Sequence, residues 1–151
     1  MRGFEFSVGA VRSVLVVLAI AASVLAAGES SAKAEKDEVG IELNKLSNDV
    51  VGCQAYFVFD NQGAADYAKL RIDLVVFNTE NVFERRFSMS VAPLAAKKRT
   101  LRMFELKTME CDQIGSLLIN GVFECQQGKR TKKDCAERLV PSSRVDVELT
   151  K

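Results

Sequence analysis

Apolar and polar residues alternate along most of this chain with a period of two, which is the pattern of strands that bury one face, and not with the 3.6-residue period of helices. In CQAYFVFD, one face collects Cys53, Ala55, Phe57 and Phe59, while Gln54, Tyr56, Val58 and Asp60 take the other. In KLRIDLVVF, Leu70, Ile72, Leu74 and Val76 alternate with Arg71 and Asp73. The alternation is clearest in VFERRFSMSV. There Phe83, Phe87, Met89 and Val91 oppose Glu84, Arg86, Ser88 and Ser90, and only Arg85 breaks the pattern. Leu101 and Met103 continue it, and Val145, Val147 and Leu149 predict a closing strand.

Residues that favour turns separate these runs: Asp60 to Gly63, Asn78 to Asn81, and the segment around Pro93. Asn120-Gly121, between SLLI and VFEC, carries the strongest turn signal. It predicts a two-residue type I′ hairpin, whose two central residues need positive φ. The spacing of Ile114, Leu117 and Leu118 also fits a helix, but Gly115 and the Asn-Gly pair cut it short. Short strands with turns every eight to twelve residues or so predict an all-β fold, a single immunoglobulin-like β-sandwich of about seven strands. A small closed β-barrel is the alternative. The sequence shows no internal repeat and no second domain boundary.

The N-terminus follows a different rule. Arg2 and Arg12 precede the uncharged run from Val14 to Ala27, the order of a secretory signal peptide. The run falls short of the roughly 20 apolar residues a membrane-spanning helix needs, so cleavage is favoured over an uncleaved anchor. Ala32 and Ala34 supply the small residues of a cleavage site after Ala34, with a cut near Ala27 as the alternative. The reading is therefore a signal peptide at 1–34 and a β-sandwich at 35–151, periplasmic or secreted, with no transmembrane segment in the mature chain. No arginine pair precedes the apolar run, which argues for the general secretory route, and the first cysteine, Cys53, lies too far on to carry a lipid at the cleavage site.

Charge and cysteine content follow from that cut. Removing Arg2, Arg12 and Lys33 from 21 basic residues, and Glu5 and Glu29 from 20 acidic ones, leaves 18 of each. A balanced total gives no general steering toward nucleic acid, which is not an expected partner. The 4 cysteines read as two disulfides in an oxidising compartment. Of the three connectivities, Cys53 with Cys111 and Cys125 with Cys135 is expected, the second pair closing a short polar loop. Metal ligation is disfavoured, since no C-x-x-C pair is present and the chain has 0 histidines. No cofactor is expected.

The series GCQAYFVFDN, LVVFNTENV, RMFEL after a proline turn, CDQIGSLLINGVFEC and SSRVDVEL resembles a family of small exported proteobacterial proteins of unknown function. Members are often labelled as twin-arginine proteins, which this N-terminus does not support. The resemblance covers most of the mature chain. It implies a periplasmic address and brings no catalytic residue, ligand or partner.

Without histidine the commonest general base is missing, and with it most hydrolase mechanisms. Gly115-Ser116 lacks the surroundings of a nucleophile elbow. Glu110 and Asp112 flank Cys111 as a carboxylate pair, but no tryptophan offers a sugar platform (Trp 0). Asp60, Asn61 and Asp66 resemble a calcium loop faintly and read better as a turn. Thiol exchange would need closely paired cysteines at a helix start.

Two basic segments remain for binding: Lys129, Arg130, Lys132 and Lys133 between Cys125 and Cys135, and Lys97, Lys98 and Arg99 in an expected strand connection. Either could be ordinary solvated surface. An exposed sheet edge is a third route to a partner. The sequence thus points to a non-enzymatic envelope binding or accessory module whose partner is another envelope protein or an anionic envelope component. The alternatives are a secreted effector or inhibitor and, more remotely, an enzyme working through carboxylates alone.

Overall fold

A computed structural model describes residues 37–151; the expected leader and both candidate cleavage points lie outside the described residues. The strands are β1 (Val39–Asp49), β2 (Gly52–Asn61), β3 (Tyr67–Asn78), β4 (Phe83–Ser90), β5 (Lys98–Lys107), β6 (Ile114–Gln127), β7 (Arg130–Thr131), β8 (Leu139–Ser143) and β9 (Glu148–Thr150). A 3-10 turn, Cys111–Gln113, precedes β6, and one helical turn, α1 (Cys135–Arg138), precedes β8.

One sheet runs in the order β5-β2-β1-β8 and the other β4-β3-β6-β7, with β9 also paired to β6. The first, second and fifth strands therefore share one sheet and the third, fourth and sixth the other, the partition of an immunoglobulin-like sandwich. No closed barrel forms among the described residues. The alternating runs explain the core. Cys53, Ala55, Phe57 and Phe59 of β2 are fully buried, facing Leu70, Ile72, Leu74 and Val76 of β3. Phe57 stacks with Phe59 at 6.2 Å and meets Phe104 edge-on at 5.9 Å.

Several expectations fail, each for a physical reason. Asn120-Gly121 is not a hairpin turn: it lies inside β6, at a bulge where the register against β3 shifts between Asp73 and Leu74. The Asn120 side chain donates to the Asp73 carboxylate at 2.6 Å, so its polarity is used by a neighbouring strand. β1, for which no strand was expected, joins β2 through Val50-Val51, with Asp49 opposite Gly52. β5 has the opposite facing to that expected. Leu101 and Met103 point outward, 57% and 44% exposed, whereas Leu106 is buried and Phe104 packs on the core. Lys98 and Arg99 belong to β5 and not to a connection, and only Lys97 precedes it. Phe83 is 57% exposed, because the inner face of β4 ends short of it. Of the expected closing strand only Leu149 lies in one: Val145 and Val147 fall in the bend between β8, which pairs parallel with β1, and β9, which pairs parallel with β6 in the other sheet.

Both disulfides join the expected partners. Cys53 at the start of β2 is bonded to Cys111, with Cα atoms 4.9 Å apart, which ties one sheet to the turn entering the other. Cys125 in β6 is bonded to Cys135 of α1 across 6.4 Å.

Candidate functional site

The expected cationic loop begins where β6 ends. Gly128 adopts φ 56°, which suits the first position of a two-residue hairpin, and the chain returns as β7 with Arg130 opposite Gln127 and Thr131 opposite Gln126. The Lys132 N–H then donates to the Cys125 carbonyl at 3.0 Å, and the disulfide pulls Cys135 under the end of β6. Arg138 holds the far side by donating from Nε to Asp134 at 3.0 Å.

These constraints leave an open groove of about 420 Å³ above the Cys125–Cys135 bond, lined among others by Lys69, Phe123, Glu124, Thr131, Lys132 and Lys133. The geometry divides the four cations singled out above. Lys132 and Lys133 line the groove; Lys129 and Arg130 occupy the exposed hairpin and do not. Lys69 joins the pair from β3, where it lies opposite Gln126. Among the described residues none of these three lysines has a carboxylate within ion-pair distance. Glu124, the one acid lining the groove, is bound sideways to Arg71 at 3.0 Å.

Beside the groove, on the same outer face, the Phe123 ring lies within cation–π reach of two guanidinium groups, Arg71 at 5.1 Å and Arg86 at 5.5 Å from the ring centre. Arg86 donates from Nε and Nη2 to the two Asp73 oxygens at 2.6 and 2.5 Å, a bidentate pair. Asp73 is 2% exposed although it points away from the core, because Arg86 and Asn120 cover it. Hydrogen bonding from Arg86 holds the Asp73 carboxyl below the usual carboxylate range against the opposing effect of its burial, and the same contact raises Arg86. This array is closed on itself: its charges are matched and its aromatic ring is already in contact with both cations.

The other candidates separate in space. Glu110 caps the 3-10 turn, its N–H accepted by Gln113 Oε1 at 2.8 Å, and with Asp112 it sits near the Cys53 end of β2. Asp60 lies seven residues further along the strand, roughly 23 Å away at about 3.3 Å per residue. Asp60 instead lines a shallow groove with Glu38, Glu42 and Arg99. Glu42 is held below its ordinary range by hydrogen bonds from Asn44 and Arg144, so it is an ionised structural carboxylate. Asn61 is fully buried and donates to the carbonyls of Ala65 and Ala95 at 3.0 and 3.1 Å, while the Asp66 carboxylate accepts from the Ala96 N–H at 2.7 Å. That is turn construction. No group of three metal-ligating side chains occurs among the described residues.

Sequence reasoning missed Lys69 and Phe123 as partners of the basic loop. The available signal was indirect: both are outward positions of β3 and β6, and only the pairing of those strands brings them beside residues 131–133.

No family model and no curated protein sequence matches the chain. Among solved structures, it is similar to IrmA from Escherichia coli, at 12% sequence identity and a TM-score of 0.51, over 69% of this chain and 90% of that one. A likeness at that identity concerns the fold alone.

Proposed function

We propose that this is an exported, non-enzymatic binding module that holds an anionic component of the cell envelope, a phosphate-bearing headgroup or an acidic protein face, in the groove of Lys69, Lys132 and Lys133. The observation that carries this reading is the convergence of three uncompensated lysines from two separate chain segments above a disulfide. Like charges brought together repel, so their juxtaposition costs stability unless an anion relieves it. The disulfide and the β6–β7 pairing hold the groove in place before a ligand arrives, which reduces the ordering cost of binding. A secreted effector or inhibitor remains the second reading, and it would use the same preformed groove. A carboxylate enzyme gains no support, since the Glu110 and Asp112 pair lies at the opposite end of β2 from Asp60.

The test exploits the division of the loop. Retention on vesicles containing phosphatidylglycerol, and on heparin as a polyanion without phosphate, is compared at low and moderate salt for wild type and two variants. K69S/K132S/K133S empties the groove, and K129S/R130S neutralises the hairpin tip. Loss of about 1 kcal/mol per cation near an anionic surface predicts a roughly hundredfold weakening for the groove variant, steepest at low salt. The tip variant is expected to retain most of its binding. If both folded variants match wild type, or each loses binding in proportion to charge removed whatever its position, the groove is ordinary solvated surface.

A further inference from the structure

Among the described residues no strand pairs with the outer edge of β5. β5 is the last strand of its sheet, and its pairing with β2 shows which of its backbone groups are used. The Thr108 N–H donates to the Val51 carbonyl at 2.9 Å, so even-numbered residues face β2; odd-numbered ones turn outward, as the Lys107 carbonyl does in accepting Arg85 Nη1 at 2.5 Å. Arg99, Leu101, Met103 and Glu105 therefore direct their N–H and C=O groups to the free edge, and all four are exposed. Such an edge templates another strand unless something blunts it. The devices that usually do so are present only in part: charges stand toward the ends of β5 and in the inward-pointing Arg102. No proline or bulge interrupts the β2–β5 register, and the central side chains are the apolar Leu101 and Met103.

The sequence of this edge is self-complementary. In an antiparallel pairing of two copies about a two-fold axis at Arg102, Arg99 lies opposite Glu105 of the other copy, and Leu101 opposite Met103. Every such pair falls on residues whose backbone groups β2 does not use, so each can exchange two N–H···O=C bonds. Opposite charges flank an apolar centre, and symmetry repeats the arrangement. Arg102 points to the other side, donating to the carbonyls of Val91 and Pro93, and its long 3.4 Å contact with the Leu101 carbonyl is the one edge bond that would be exchanged. We infer that β5 is a self-association edge through which a second copy of this chain extends the β5-β2-β1-β8 sheet into a continuous two-fold sheet, independently of the groove. Edge pairing alone covers less than the roughly 1,200 Å² of a stable interface, so the dimer is weak and concentration-dependent.

Sedimentation velocity of the mature protein across a concentration series reads this directly. Wild type is expected to shift toward dimer as concentration rises. Met103→Pro removes an outward N–H that β2 does not use and should abolish the shift, since edge strands accept proline at such positions. Should that variant fail to fold, Arg99→Glu and Glu105→Arg are each expected to weaken association about tenfold by placing like charges opposite one another at two symmetric sites. The R99E/E105R double variant restores the pairing; it would not do so if R99E acted only through repulsion between its new carboxylate and Asp60 of the same chain. A wild type that stays monomeric throughout overturns the inference. So does a dimer indifferent to these changes, or a double variant no better than R99E.

Discussion

Asp73 shows how much a single outward-facing residue can decide. Its carboxylate accepts from Arg86 twice and from Asn120 once, and it is buried by the groups that bind it. Because this carboxyl is held below its ordinary value, its stabilisation is fully present above the unfolded-state value of about 3.9 and fades as the pH falls through the lowered folded value. Asp73→Asn should cost about 1 kcal/mol at pH 7, a modest figure because the Arg86 side chain is 52% exposed and water screens the pair. Urea unfolding should show that difference shrinking toward pH 2, and an equal cost at both pH values would contradict the ionic account. At this scale the sequence was readable in part. The inward residues of β2 and β3 could be named because alternation alone places them. Asp73 looked like an ordinary solvated position, since nothing local announces that Arg86 and Asn120 arrive from two different strands to cover it.

The elements were legible where burial enforced a strict alternation and illegible where turn chemistry was taken at face value. Asn120-Gly121 has the composition of a hairpin, yet β6 continues through it: the buried residues Leu117, Ile119 and Cys125 and the ladder to β3 outweigh local preference. Val50-Val51 has the composition of a strand and forms a turn, with Val50 99% exposed. The residue that makes this turn workable is the next one, Gly52, at φ 138°, where a Cβ would run into the Leu106 carbonyl. Two substitutions separate these assignments. Gly52→Ala should cost at least about 2 kcal/mol, from backbone strain plus the clash with β5. Gly121→Ala should lie within about 0.5 kcal/mol of wild type, because Gly121 has open space where the methyl would go and no positive φ. A type I′ turn at that position would reverse the ranking, so chemical denaturation of the pair decides between strand and hairpin. The basic loop falls between these cases: its charges were obvious from sequence, but its division into groove and tip depends on Gly128 and β7.

For the whole molecule, the two disulfides act on different spans. The Cys53–Cys111 bond closes a separation of 58 residues and the Cys125–Cys135 bond one of 10. In the chain-entropy description they contribute about 4 and about 3 kcal/mol. Reduction should lower the melting temperature markedly, and Cys53→Ala with Cys111→Ala should cost more than Cys125→Ala with Cys135→Ala; calorimetry giving the opposite order would show that native packing, not loop length, sets their value. The segment from β8 onward adds a constraint that neither disulfide supplies. β8 lies along β1 at the edge of one sheet, the chain bends with Arg144 bound to Glu42, and β9 lies along β6 in the other. Beyond β9, Lys151 donates to the carbonyls of Ala136 and Glu137. The first described strand thus finds its second partner, β8, only at Leu139–Ser143, and contacts this distant in sequence slow folding because loop closure must come first. A chain delivered from its N-terminus, whether from a ribosome or through a translocation pore, holds β1 with one side unpaired until β8 has arrived. The outer edge of β1 is therefore the last backbone edge of its sheet to be covered, because β8 is delivered after every other strand of that sheet.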